Sequence, residues 1–142
     1  MLPRVATRSI LIERPADEVF AFIASATNWP KWAIESCESV KPMLDGCWLT
    51  RSASGAGTLC VVPGGDRRSV HFDIALLEGD WEIDCLLSEH GAATRLELVF
   101  PQPTHCDEYC FDDYMMIAEH RLRRLKALLE LPAPTSSPSA GL

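Results

Sequence analysis

The last third of the chain carries a long apolar stripe with helical spacing, which constrains the fold more than any other feature of the sequence. Its members follow one another at steps of three or four residues, the spacing of residues on one face of an α-helix. They are Phe111, Met115, Ala118, Leu122, Leu125 and Leu129. The spacing predicts a helix from Asp107 to Glu130 that buries one face along its length.

Flanking residues predict where this helix begins and ends. Pro101 and Pro103 exclude an earlier start, and Pro132 excludes a continuation. Thr104 and Asp107 have the spacing of a capping box, in which two side chains satisfy free N–H groups of the first turn. We therefore expect the rest of the chain to wrap around this single long helix.

The first thirty residues predict a strand and two short helices. The segment from Arg4 to Glu13 alternates and contains β-prone residues, as in a strand. Pro15 suits the first turn of a helix, which is expected to end near Ser25. A second short helix is predicted from Asn28 to Ile34.

The middle of the chain has short β-prone runs separated by Gly, Pro and Asp. The separations are those of hairpins and are too short for parallel crossovers, so the predicted sheet is antiparallel. The six predicted strands are Ser36–Met43, Cys47–Ala53, Gly57–Val62, Arg68–Leu77, Trp81–Ser88 and Thr94–Phe100.

Alternation within the last three strands separates two faces of the predicted sheet. The inward residues are Val70, Phe72, Ile74, Leu76, Trp81, Ile83, Cys85, Leu87, Leu96, Leu98 and Phe100. The outward residues are Ser69, His71, Asp73, Glu82, Asp84, Arg95 and Glu97. A shift of one residue in register would reverse every assignment.

Composition restricts the function classes. A chain of 142 residues with 47% hydrophobic residues is long enough for one domain with its own core. The net charge of −7 disfavours nucleic acid, which requires a basic surface, and no segment predicts stable membrane insertion. The N-terminus lacks the apolar segment of a signal peptide, so a cytoplasmic location is expected, with all six cysteines as reduced thiols.

Two segments resemble a known superfamily. The sequence Ile10-Leu-Ile-Glu-Arg-Pro-Ala-Asp-Glu-Val-Phe-Ala-Phe-Ile23, followed by Asn28-Trp-Pro-Lys-Trp32, resembles the opening of START-like (SRPBCC) proteins, which include polyketide cyclase/dehydrase-like and lipid-binding members. The resemblance implies an α+β helix-grip fold, in which a curved seven-stranded antiparallel sheet wraps around a long C-terminal helix. We assign residues 1–131 to this domain, and the small and turn residues of 132–142 predict a disordered tail.

Proteins of this type usually hold an apolar cavity between sheet and helix. We expect it to bind a small hydrophobic ligand, lipid-like or polyketide-like, because aromatic and methionine side chains suit flat apolar molecules. The candidate ligand-binding residues are Trp32, Trp48, Phe72, Trp81, Cys85, Leu96, Phe111, Tyr114 and Met115. The alternative is that these side chains only pack in the core.

A second hypothesis is a cyclase-type enzyme that uses general acid/base chemistry. Its candidate catalytic residues are Tyr114, His71 and Asp73, although alternation places the last two on the outer face. His71 and Asp73 share a strand face and could make contact. A third hypothesis, a protein-binding module of the Hsp90-activator type, has no supporting feature in the sequence.

Metal and cofactor sites are not predicted. His105, Cys106 and Cys110 supply three potential ligands near the helix start, but a structural zinc site needs four, and no second cysteine pair with the usual zinc-motif spacing completes one. The position of Cys106 near a helix N-terminus predicts a reactive thiol. We expect neither a metal nor a cofactor, and a homodimer is left open.

Overall fold

The computed structural model describes residues 4–32, 37–52, 55–76 and 79–131; the side chains of residues 37, 38, 52 and 76 lie outside this description. A 3-10 turn, Ala26–Asn28, precedes the second helix. The helices are α1 (Ala16–Ile23), α2 (Trp29–Trp32) and α3 (Glu108–Glu130). The strands are β1 (Val5–Ile12), β2 (Cys37–Pro42), β3 (Cys47–Ser52), β4 (Gly55–Pro63), β5 (Ser69–Leu76), β6 (Gly79–His90) and β7 (Ala93–Pro101).

All seven strands form one open antiparallel sheet in the order β1-β7-β6-β5-β4-β3-β2. Strands β2 to β7 pair with their neighbours along the chain, as the hairpin spacings predict. The pairing of β1 with β7 instead joins the first and last strands along the chain, from Val5 opposite Pro101 to Ile12 opposite Thr94. With α3 packed along β1, this is the helix-grip arrangement predicted from the sequence.

The predicted face assignment is confirmed wherever side chains are described. Phe72, Trp81 and Leu96 are buried, whereas Asp73, Glu82 and Arg95 are exposed. One core cluster joins this inner face to α1, α2 and α3. The strict alternation of β6, buried at every second residue from Trp81 to Leu87, is typical of an antiparallel sheet with one wet face.

Helix α3 has the predicted extent but a different cap. Asp107 is itself the N-cap residue, and its carboxylate accepts a hydrogen bond of 2.8 Å from the Cys110 N–H. The predicted capping box with Thr104 is therefore wrong, because Asp107 supplies the capping oxygen directly. At the other end Lys126 donates to the Leu11 carbonyl at 2.7 Å, and Glu130 accepts from the Glu13 N–H at 2.7 Å. These contacts fasten the helix to the end of β1.

Four of the six cysteines form disulfides, so the prediction of six reduced thiols is wrong for these four. Cys47 and Cys60 face each other across β3 and β4, with Cα atoms 4.0 Å apart. Cys106 and Cys110 are joined at the start of α3, so the prediction of a reactive Cys106 thiol is also wrong. Strand register and the helical turn bring these thiols together, which composition does not reveal. Cys85 is a buried free thiol.

Several predictions extend beyond the described residues, among them the predicted strands that begin at Ser36 and end at Ala53 and Leu77. The predicted second helix runs to Ile34, whereas α2 is described from Trp29 to Trp32 and residues 33–36 lie outside the description. The predicted tail, residues 132–142, also lies outside it.

Candidate ligand cavity

A small cavity of about 20 Å³ lies between the inner face of the sheet and the helices. The sheet contributes Phe72, Ile83, Cys85, Leu98 and Phe100 from three adjacent strands, β5, β6 and β7. The helices contribute Trp29 and Trp32 from α2 and Tyr114, Ala118 and Arg121 from α3. Its volume is that of a site for about one water molecule.

The short helix α2 places two indole rings on this cavity. The 3-10 turn before it is held by the Asn28 side-chain amide, which donates to the Phe22 carbonyl at 3.1 Å. Trp29 then packs edge-on against Phe72 with ring centroids 4.8 Å apart. Trp32 lies 5.9 Å from Trp29 by the same measure. A four-residue helix is too short to be stable alone, so these contacts fix its position.

On the opposite side, α3 presents Tyr114, Ala118 and Arg121, at spacings of four and three residues. The ring of Tyr114 stacks on Trp81 with a centroid separation of 3.8 Å. Arg121 Nη1 donates to the Tyr114 hydroxyl at 3.3 Å. Tyr114 and Arg121 are only partly buried, so they form the part of the lining that reaches the surface.

Three hydrogen-bond donors on the lining residues have no acceptor. They are Trp29 Nε1, Trp32 Nε1 and Arg121 Nε, all buried and without a partner among the described residues. Leaving a buried donor unpaired costs about 1–3 kcal/mol. The lining is therefore apolar in area but supplies unused N–H groups.

The described lining contains no general base. Burial raises the pKa of the Cys85 thiol far above its ordinary value, so this side chain is a neutral packing group at physiological pH. Arginine is always protonated in proteins, and no carboxylate or imidazole occurs among the described lining residues.

The structure separates the nine candidate ligand-binding residues into two groups. Trp32, Phe72, Cys85 and Tyr114 line the cavity. The others are elsewhere in the core cluster or at its margin, and these are Trp48, Trp81, Leu96, Phe111 and Met115. Trp81 stacks on the lining residue Tyr114. Contact of any of the nine residues with a ligand stays a prediction.

Arg121 is the lining residue that sequence reasoning missed altogether. Its charge places it with the solvent-facing residues of α3, yet it lies seven residues after Tyr114 and three after Ala118. That spacing puts it on the same side of the helix. The spacing could therefore have identified Arg121 as a lining residue from the sequence. Ile83, Leu98 and Phe100 were predicted only as inward-facing core residues, and Trp29 only as part of the second helix.

His71 and Asp73 make the predicted contact, but on the outer face of the sheet. His71 Nε2 lies 3.0 Å from an Asp73 oxygen and Nδ1 lies 2.6 Å from an Asp84 oxygen. The hydrogen bond with Asp84, assisted by Asp73, raises the pKa of His71 above its ordinary value against a lowering by partial burial. Phe72, between the two in sequence, points to the cavity, so this pair faces away from it.

The outer cluster also has donor atoms for a metal ion. Atoms of His71, Asp73 and Glu82 lie within 4.8 Å of one another. Both ring nitrogens of His71 are already engaged with carboxylates, and the acidic side chains are exposed. His71 lies directly opposite Asp84, an oppositely charged pair when the ring is protonated, whereas Asp73 and Glu82 face each other as like charges across β5 and β6.

None of the helices described in residues 4–32, 37–52, 55–76 and 79–131 has an apolar stretch that could span a bilayer.

Comparison with protein-family models finds no match, and comparison with curated sequences finds none either. Comparison with solved structures finds the same fold in proteins of low sequence identity. A START superfamily protein from Mycobacterium smegmatis aligns with 89% of this chain and 97% of its own, at 10% identity and a TM-score of 0.70. The chain thus has the fold of START-like proteins.

Two further solved structures with this fold are proteins of other names. The Aha1 dimer from Colwellia psychrerythraea aligns with 92% of this chain and 99% of its own, at 14% identity and a TM-score of 0.70. The di-domain ARO/CYC BexL from the BE-7585A biosynthetic pathway aligns with 90% of this chain and 47% of its own, at 20% identity and a TM-score of 0.68. These identities establish a shared fold, and function has to be argued from the site itself.

Proposed function

We propose that this protein binds an apolar or aromatic small molecule, lipid-like or polyketide-like, in the cavity between the sheet and α3. The observation that carries the proposal is the aromatic lining, where Trp29, Trp32, Phe72, Phe100 and Tyr114 meet from both layers. Flat aromatic side chains offer large contact areas to apolar ligands. The shared fold with START-like proteins supports the same conclusion.

Entry of such a ligand requires the cavity to enlarge, because about 20 Å³ is less than one aromatic ring occupies. Tyr114 and Arg121 are the partly exposed lining residues, and their displacement would open the site while breaking the stacking of Tyr114 on Trp81. A pocket of this kind exists as a minor conformation that the ligand stabilises. Binding is then expected to be slower than diffusion allows.

Area alone gives modest affinity. Burying about 200 Å² of apolar ligand surface contributes about 5 kcal/mol at about 25 cal/mol per Å², before ordering costs. Micromolar binding corresponds to about 8 kcal/mol. Polar contacts therefore have to supply the difference, and the unpartnered donors on the lining are suited to it.

The geometry of the cavity supports a cyclase less well than it supports a binding protein. Enolisation requires a general base within hydrogen-bond distance of the substrate. The described lining offers Tyr114 and Arg121 but no such base, and His71 and Asp73 lie on the outer face. A carrier or sensor role fits these residues better.

A thermal-shift screen against fatty acids, sterols, flavonoids and aromatic polyketides tests the proposal. A true ligand at about 100 times its Kd stabilises the protein by about 2.7 kcal/mol. Ala118→Leu inserts a larger side chain into the cavity and is expected to abolish the shift, at an overpacking cost of about 1–3 kcal/mol.

Ala127→Leu is the matched control, because Ala127 is an exposed position of the same helix. It should retain the shift. The proposal fails if no ligand class stabilises the wild-type protein, or if Ala118→Leu binds as tightly as Ala127→Leu, which would place the ligand elsewhere.

A further inference from the structure

The cavity has an excess of hydrogen-bond donors over acceptors. Trp29 and Trp32 are 2% and 4% exposed, so their indole N–H groups have no access to bulk water. Arg121 Nε is equally buried. The lining acceptor that the structure identifies is the Tyr114 hydroxyl, which already accepts from Arg121 Nη1 at 3.3 Å.

One of these donors carries a positive charge without a counter-ion among the described residues. The ion pairs described in the chain do not include Arg121, although Arg4, Arg8 and Arg68 all have carboxylate partners. A guanidinium that is partly withdrawn from water gains strongly from an anionic acceptor. The charge of Arg121 and the indole N–H groups therefore both favour an anionic hydrogen-bond acceptor.

A single buried water does not satisfy this arrangement. The oxygen of water has two lone pairs, whereas three donors are unpaired. A carboxylate has two oxygens with about four acceptor positions, enough for all three. A phenolate or enolate offers one anionic oxygen with up to three acceptor positions and is the next best match.

We infer that the cavity recognises the anionic oxygen end of its ligand, so that the molecule bound is an apolar or aromatic carboxylate or phenolate whose oxygens accept from Trp29, Trp32 and Arg121. This inference rests on the proposed function and specifies the ligand class. The selectivity has to come from the cavity, because the net charge of −7 repels anions at long range.

Binding of three two-ring probes tests the inference directly. Naphthalene-2-carboxylate, naphthalene-2-methanol and naphthalene-2-methylammonium share their apolar rings and differ in the polar end. Kd values are measured by isothermal titration calorimetry and by tryptophan fluorescence. We expect the carboxylate to bind on the order of tenfold or more tightly than the alcohol, and the ammonium to bind more weakly than either.

Two variants identify the donors. Arg121→Met keeps an unbranched apolar stem but removes the guanidinium, and Trp32→Phe keeps an aromatic ring but removes the N–H. Each should weaken binding of the carboxylate more than binding of the alcohol, and so reduce the advantage of the carboxylate over the alcohol. Arg123→Met, at an exposed position of the same helix, is the control and should retain the full advantage. Circular dichroism establishes that each variant is folded.

The outcomes separate the two proposals. Equal affinity for carboxylate and alcohol in the wild-type protein overturns the inference and leaves the binding function standing, and this comparison needs no variant to fold. An unchanged advantage in folded Arg121→Met and Trp32→Phe also overturns it. Failure of all three probes, together with no stabilisation in the ligand screen, overturns the binding function and the inference with it.

Discussion

The face of a strand or helix on which a residue lies decides what its side chain contacts. Phe72 and His71 are adjacent, yet one lines the cavity and the other lies in a cluster of carboxylates on the outer face. Cys85 lines the cavity as a neutral thiol because burial raises its pKa. Arg121 reaches the cavity because it follows Tyr114 by two helical turns.

The pKa shift of His71 predicts a pH-dependent contribution to stability. Asp84, Asp73 and Glu82 face the ring, while β4 places the uncharged Val62 opposite it. Because the folded-state pKa is raised from 6.5, the stabilisation is fully present below about pH 6.5 and is lost as the pH rises through the folded-state value.

His71→Gln should therefore lower the free energy of unfolding more at about pH 5.5 than at about pH 8.5, by about 0.5 kcal/mol, as is usual for partly exposed pairs. Urea denaturation at both pH values measures it. His90→Gln is the control, because His90 contacts Ser88 Oγ and has no carboxylate partner among the described residues. A larger effect at the higher pH would contradict the assignment.

Contacts between secondary-structure elements depend on how the strands pair, which the local sequence does not specify. Strands β3 and β4 bring Cys47 opposite Cys60, and α3 is tied to β1 through Lys126 and Glu130. Leu122 and Leu125 of α3 are fully buried, whereas Leu129 is partly buried. The second half of α3 therefore anchors the helix, and its first half supplies two of the three residues that α3 contributes to the cavity lining.

The disulfide between β3 and β4 should stabilise the hairpin. It links residues separated by 13 positions, and closing a loop of this length stabilises a fold by up to about 3 kcal/mol. The double variant Cys47→Ser, Cys60→Ser should lose about this much in urea denaturation. Dithiothreitol reduces both disulfides, so it should lower the stability of the wild-type protein by at least this much. An unchanged stability of the double variant would show that the Cys47–Cys60 pair contributes nothing to the folded state.

Among the described residues one core cluster joins the sheet to α1, α2 and α3, and the first strand along the chain pairs with the last, β1 with β7. The helix therefore has no separate core of its own. The cavity lies within this common core, so ligand binding and global stability are expected to be coupled.

This organisation predicts a single unfolding transition. Far-UV circular dichroism, dominated by α3, and tryptophan fluorescence, which reports on the four tryptophans, should give the same midpoint in urea. Leu122→Ala should shift both midpoints together, at a cost of about 2–5 kcal/mol. Earlier loss of the helical signal would contradict the prediction and make α3 an independent unit.

The sequence by itself determined the elements and their buried faces. The period of Phe111 to Leu129 and the alternation from Val70 to Phe100 are local properties, because helical and extended backbones repeat every 3.6 and 2 residues. Resemblance of the first thirty residues extended this to the helix-grip fold. Only the tertiary structure decided the two cysteine pairs, the contact of His71 with Asp84, and the place of Arg121 at the cavity. Apart from Cys106 and Cys110, which are four residues apart, these depend on register and packing between different elements, where a shift of one residue changes the neighbour of every side chain.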